Sequence, residues 1–166
     1  DPDRSKGDRL MARDLLDTGV ARLERELANE PDSRAALLHT IGRVYFQLGR
    51  DNEAERALEQ ALPFRRTLSG RERLDLAATL NELGKVYARK GNLVRAEATD
   101  REVLDIRRRV LGADHPDVGK SLHNLATLAE GRGQLAESEA LYKQAILVFK
   151  KSANPEAAQA ALMEKF

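Results

Sequence analysis

Three histidines, a short acidic loop and a run of arginines are the residues in this chain whose types suggest chemistry. His39 and His123 stand 84 residues apart with Asn81 midway between them, so the three share one recurring position. A row generated by a repeat is set by geometry, and catalysis or metal binding needs a convergent constellation instead. His115 lies between Asp114 and Asp117, a donor set for a metal, but the same residues cap a loop. Zinc requires three or four converging ligands, and no further ligand stands at a recognisable spacing. Gly131-Arg132-Gly133 lacks the third glycine and the Lys-Ser/Thr ending of a phosphate-binding loop. No Ser/His/Asp triad is identifiable. The expectation is a chain that is not an enzyme and carries neither metal nor cofactor.

Arg107-Arg108-Arg109, with Arg65 and Arg66 one period earlier, forms a possible basic stripe. The expected reading is a solvated face. Charged residues make up 33% of the 166 residues yet balance to a net +1, which gives no electrostatic case for nucleic acid or an anionic membrane as partner. Cysteine is absent, so disulfides and thiol chemistry are excluded while the redox compartment stays undecided. No apolar run reaches the roughly 18 residues that read as a membrane span, and no signal peptide opens the chain. The chain starts Asp1-Pro2 and reads as a piece of a longer protein.

The elements that position these residues recur. Leu38, Ile41, Gly42, Val44, Tyr45, Gly49, Ala54 and Glu55 return 42 residues later as Leu80, Leu83, Gly84, Val86, Tyr87, Gly91, Ala96 and Glu97. Leu122, Leu125, Leu128, Gly133 and Glu139 continue the register. Within each copy, apolar residues at helical spacing are broken by a turn glycine, which predicts a pair of helices. The reading is an all-α, right-handed solenoid of antiparallel helix pairs. It places a disordered tail over 1–7, an N-terminal helix over 8–29, repeats over 33–68, 70–111 and 116–152, and a capping helix over 155–166. Asp32 or Ser33 is expected to cap the first helix of repeat one. Pro63 is expected to kink or stop its second helix early. Gly42, Gly84 and Ala126, facing Ala54, Ala96 and Ser138, are expected to let paired helices approach closely.

Leu83-Gly84-x-x-Tyr87, a turn glycine, then Ala96 resembles the tetratricopeptide signature. The period exceeds the usual length of about 34 residues by roughly two helical turns. With Leu-Gly-Ala-Asp-His-Pro-Asp-Val at 111–118 and Leu-His-Asn-Leu-Ala at 122–126, it is similar to the kinesin-light-chain class of these repeats. Separately, the stretch from Ala12 to Leu27, leading into Ile41-Gly42-Arg43-Val44-Tyr45, is similar to a segment of bacterial serine/threonine protein kinases. No kinase motif is present in this chain, so that resemblance implies a parent protein and not an activity.

The tetratricopeptide resemblance implies a protein-interaction scaffold that binds a peptide in its concave groove. First helices line the groove, and His39, Arg43, Gln47, Asn81, Lys85, Arg89, Lys120, His123, Asn124 and Thr127 are the candidate contacts. Amides would meet an extended backbone and cations would meet acidic groups, so an acidic peptide is the expected ligand. The alternative is self-association through the terminal helices at 8–29 and 157–166. Monomer or weak homodimer, cytoplasmic or beyond a membrane helix of a kinase parent, the domain is expected to be soluble and not inserted in a membrane.

Overall fold

The computed structural model describes residues 29–153, together with residues 18, 19, 25, 26 and 27. From Pro31 on, the described residues form six α-helices in succession: α1 (Pro31–Gln47), α2 (Asp51–Arg66), α3 (Arg73–Arg89), α4 (Leu93–Leu111), α5 (Pro116–Gly131) and α6 (Leu135–Ala153). A short 3₁₀ turn, Gly70–Glu72, leads into α3, and no strand occurs among the described residues. Helices α1/α2, α3/α4 and α5/α6 form three hairpins stacked in order. The expected tail over 1–7, and the bulk of the expected helices over 8–29 and 155–166, lie outside the described residues, and with them the proposed self-association through those helices.

The register is kept to the residue. Helices α2, α4 and α6 begin at Asp51, Leu93 and Leu135, each 42 residues after the last. Each follows a glycine with positive φ: Gly49 at 73°, Gly91 at 76° and Gly133 at 75°. Only glycine takes that conformation without crowding its Cβ, and it lets the chain reverse within a few residues.

One local expectation is corrected and another is met. Neither Asp32 nor Ser33 caps α1: the helix starts at Pro31, and Glu30 occupies the cap position without a side-chain bond. Proline suits the first helical position because its missing N–H has no intrahelical acceptor there. The early end expected of Pro63 is seen, though not at the proline itself. The helix continues to Arg66, three residues short of the position matching the end of α4 at Leu111. Near a C-terminus, the hydrogen bond that proline removes interrupts only the last turn.

Three apolar clusters hold the stack. Ile41, Tyr45, Ala54, Ala57 and Leu58 meet Leu83, Val86, Tyr87 and Ala96, joining the first hairpin to the second. Leu76, Ala77, Leu80, Val103 and Ile106 fill the second hairpin, with Leu62 of the first packed against them. Leu104 of α4 joins Val118, Leu122, Leu125, Ala145 and Val148 of the third. Full burial of a leucine such as Leu58 contributes roughly 1.5–3 kcal/mol. Because each cluster draws on neighbouring hairpins, no hairpin buries its apolar face alone.

Candidate functional site

Between the second and third hairpins lies a cleft of about 400 Å³, lined by Asn81, Lys85, Arg107, Lys120, His123, Asn124 and Phe149. Asn81 and Lys85 come from α3, while Lys120, His123 and Asn124 come from α5, so both first helices of adjacent repeats supply the lining. Asn124 Nδ2 donates to Asn81 Oδ1 across the junction at 3.4 Å. The bond is long, so the amides retain capacity for a ligand. Lys85 and Lys120 each pair with an acid one turn back on their own helix, Glu82 and Asp117, both at 2.8 Å. Exposed pairs of this kind are weak, and a ligand carboxylate competes readily for the ammonium groups.

Two lining residues were not anticipated. Arg107 sits in the run read as a solvated face; Arg108 and Arg109 are exposed as expected, and for Arg107 the expectation is corrected. Its Nη1 donates to Ser121 Oγ at 2.8 Å and to the Asp117 carbonyl at 3.2 Å, which turns the guanidinium inward. Burial pushes its pKa down from the usual arginine value, opposed by Asp117 and Asp100. The other arginines of the proposed stripe also serve structure in part. Arg65 pairs with Asp75 at 3.0 Å, and Arg66 grips both oxygens of Glu102 at 2.7 and 3.0 Å.

Phe149 is the second addition. A Cβ placed on Gly119 would lie 2.7 Å from Phe149 Cε1, so the absent side chain is what admits the ring against α5. An isolated glycine inside a helical pattern is the sequence signal for such an approach. Phe149 stands one period after Arg107, so an aromatic replaces a cation at that register on the far wall.

The structure brings five of the ten sequence-derived candidates into this cleft: Asn81, Lys85, Lys120, His123 and Asn124. The others lie elsewhere. His39 Nδ1 is 3.2 Å from Thr79 Oγ1, and burial lowers the histidine pKa. Arg89 is not a free cation of the groove: it grips Asp51, donates to the Phe46 carbonyl at 2.7 Å and stacks on the Phe46 ring. Thr127 Oγ1 donates to the His123 carbonyl and lies 3.1 Å from the Tyr142 hydroxyl. Arg43 and Gln47 are exposed on α1, away from the cleft lining. His115 caps α5, its Nδ1 accepting the Asp117 N–H at 3.1 Å, which places any proton of the neutral ring on Nε2. No group of three or more His, Cys, Asp or Glu that would hold a metal occurs among the described residues.

Behind the cleft, burial raises the Asp100 carboxyl from 3.8 to about 6, against the opposing pull of Arg107 and Lys85. A Cβ on Gly84 would lie 2.6 Å from Asp100 Oδ1. The carboxyl therefore occupies the space that Gly84 leaves open.

The stacked hairpins and the junction between them define a repeat scaffold, and comparison with known proteins names it. The tetratricopeptide repeat model matches residues 4–67 and 75–151, and the chain belongs to that family, as a domain of the kinesin-light-chain-like class. Among solved structures it is similar to a putative kinesin light chain of nearly identical repeats from Podosopora anserina, with a TM-score of 0.75 and 28% identity. That match covers 91% of this chain and 72% of the other. BtubC (BKLC) from P. vanneervenii shares the fold at a TM-score of 0.74 and 21% identity, over 89% of this chain and 58% of its own length. MamA shares it at 0.64 and 19% identity, over 90% of this chain and 73% of its own. No curated protein sequence gives a significant match. Among the described residues no helix is long and apolar enough to cross a membrane.

Proposed function

We propose that this scaffold binds an acidic peptide segment of a partner protein, anchored in the cleft between the second and third repeats. The observation that carries the reading is the composition of that cleft: Lys85, Lys120 and Arg107 surround two carboxamides, an imidazole and a phenyl ring. Cations of this kind meet a ligand carboxylate, Asn81 and Asn124 meet the N–H and C=O of an extended backbone, and Phe149 takes an apolar side chain. A rigid pocket that mixes apolar surface with a few converging polar groups suits such a ligand. The kinase resemblance of residues 12–27 supports a refinement, in which the scaffold recruits partners to a bacterial serine/threonine kinase.

Affinity capture from the native cell with the wild type and a Lys85→Glu, Lys120→Glu variant tests the reading. A partner retained by the wild type and lost by the variant, with helical circular dichroism unchanged, supports it. The captured partner's acidic segment, made as a peptide, is expected to bind more weakly as salt rises. Equal retention by both proteins overturns it.

A further inference from the structure

Helix α6 carries a stripe that the groove does not use. Leu135, Ile146 and Leu147 are 68%, 52% and 54% exposed, large values for apolar side chains. Between the leucines, Glu139 and Lys143 pair at 2.6 Å with most of both side chains in solvent. Leu135, Glu139, Lys143 and Leu147 are four residues apart in turn, so they form one ridge spanning about 18 Å of the helix.

Part of the same ridge on the preceding second helices is tied to the next hairpin. On α2, Asp51 binds Arg89, Glu55 binds Lys90 and Arg95, and Glu59 binds Arg95, all from the next hairpin. On α4, Glu97 binds Arg132 and Arg101 binds Glu137. Glu59 with Arg95 and Arg101 with Glu137 occupy one register position with the charges exchanged. The two middle positions of this ridge thus bond the next hairpin in both earlier repeats, its fourth position, Pro63 and Asp105, stays exposed there, and on α6 all four residues are exposed.

The geometry points to a second copy of this chain as the occupant, docked through α6 about a two-fold axis. The ridge reads as a palindrome of character centred on Leu141: leucine, acid, base, leucine. In an antiparallel pair related by a two-fold axis, each Leu135 meets Leu147 of the other copy and each Glu139 meets Lys143. Every contact forms twice, as an isologous interface requires. A further repeat stacked on α6 does not account for Leu147. Its counterpart Asp105 keeps its side chain 62% exposed although a complete hairpin follows it. A leucine at a position that stacking leaves wet is explained by the dyad partner. The inference is independent of the peptide-binding reading, because no residue of the ridge lines the cleft.

Sedimentation velocity over micromolar to hundreds of micromolar protein tests it, with circular dichroism confirming helicity. The wild type is expected to show a concentration-dependent dimer. Glu139→Lys alone and Lys143→Glu alone set like charges face to face and are expected to weaken it roughly tenfold or more. The double variant Glu139→Lys, Lys143→Glu keeps the ridge self-complementary and restores the dimer, and an equimolar mixture of the two single variants forms a heterodimer. Leu147→Asp abolishes association. A wild type that stays monomeric throughout overturns the proposal, as does a dimer indifferent to the single reversals.

Discussion

The first and second hairpins are built on one plan and differ at its centre. In the first, Gly42 faces Leu58, and in the second, Gly84 faces Asp100, one period later at both positions. Leu58 is fully buried in the cluster that joins the first two repeats. Asp100 is 6% exposed and carries a carboxyl that burial makes hard to ionise. The same glycine-lined recess thus holds an apolar side chain in one repeat and a titratable one in the next. The junctions that follow also differ. Tyr87 bridges the first, donating to Glu59 at 2.9 Å beneath the guanidinium of Arg95, whereas Ala129 stands at the tyrosine's position in the third repeat. The second junction holds the cleft between α3 and α5. A scaffold of this kind spends its apolar residues on continuity at one junction and leaves polar groups available at another.

The largest effect is expected from emptying the apolar recess. Leu58→Ala leaves a cavity against Gly42 and is expected to cost about 2–5 kcal/mol, read from urea unfolding. A cost below that of an exposed leucine would show that the two recesses do not differ as described.

The charged recess is expected to respond with the opposite sign. The Asp100 carboxyl titrates near 6 in the folded chain, against 3.8 for an ordinary aspartate. Between those values the folded state holds a proton that the unfolded state has released, so this group's contribution to stability falls as pH rises from about 4 to 6. Asp100→Asn removes the penalty and is expected to stabilise the protein at pH 7 by on the order of 2 kcal/mol. At pH 4 the gain is expected to vanish. Equal changes at both pH values would sink this account of the recess.

The smallest contrast separates the glycines themselves. A Cβ on Gly42 would lie 2.5 Å from Leu58 Cγ, the branch point of a buried side chain with no free direction to move. Gly42→Ala is expected to destabilise by about 1–3 kcal/mol. At Gly84 the obstructing atom is a carboxylate oxygen at the tip of Asp100, which rotates aside. The helix-propensity gain of roughly 1 kcal/mol offsets that shift, so Gly84→Ala is expected to be close to neutral. Paired thermal melts of the two variants decide the matter.

Periodicity alone determined the number of described hairpins, their turns and the pairing of small residues. Gly49, Gly91 and Gly133 punctuate a pattern whose apolar residues repeat at helical spacing, and local sequence is sufficient for such signals. The sequence placed Asn81, Lys85, Lys120, His123 and Asn124 among ten candidates for a concave groove, and the cleft at one junction gathers these five. The sequence did not distinguish them from Arg89, whose environment depends on Asp51 lying 38 residues away in sequence and in contact in space. Arg107 and Phe149 belong to second helices, which the repeat logic assigns to the outer face. Only the packing of α4 and α6 against α5 turned them inward, Arg107 by its bond to Ser121 and Phe149 through the gap at Gly119. Helix formation and turn geometry are encoded over a few residues. The shape and charge of a cleft arise from side chains that meet across a hairpin junction, and that meeting was decided by tertiary structure.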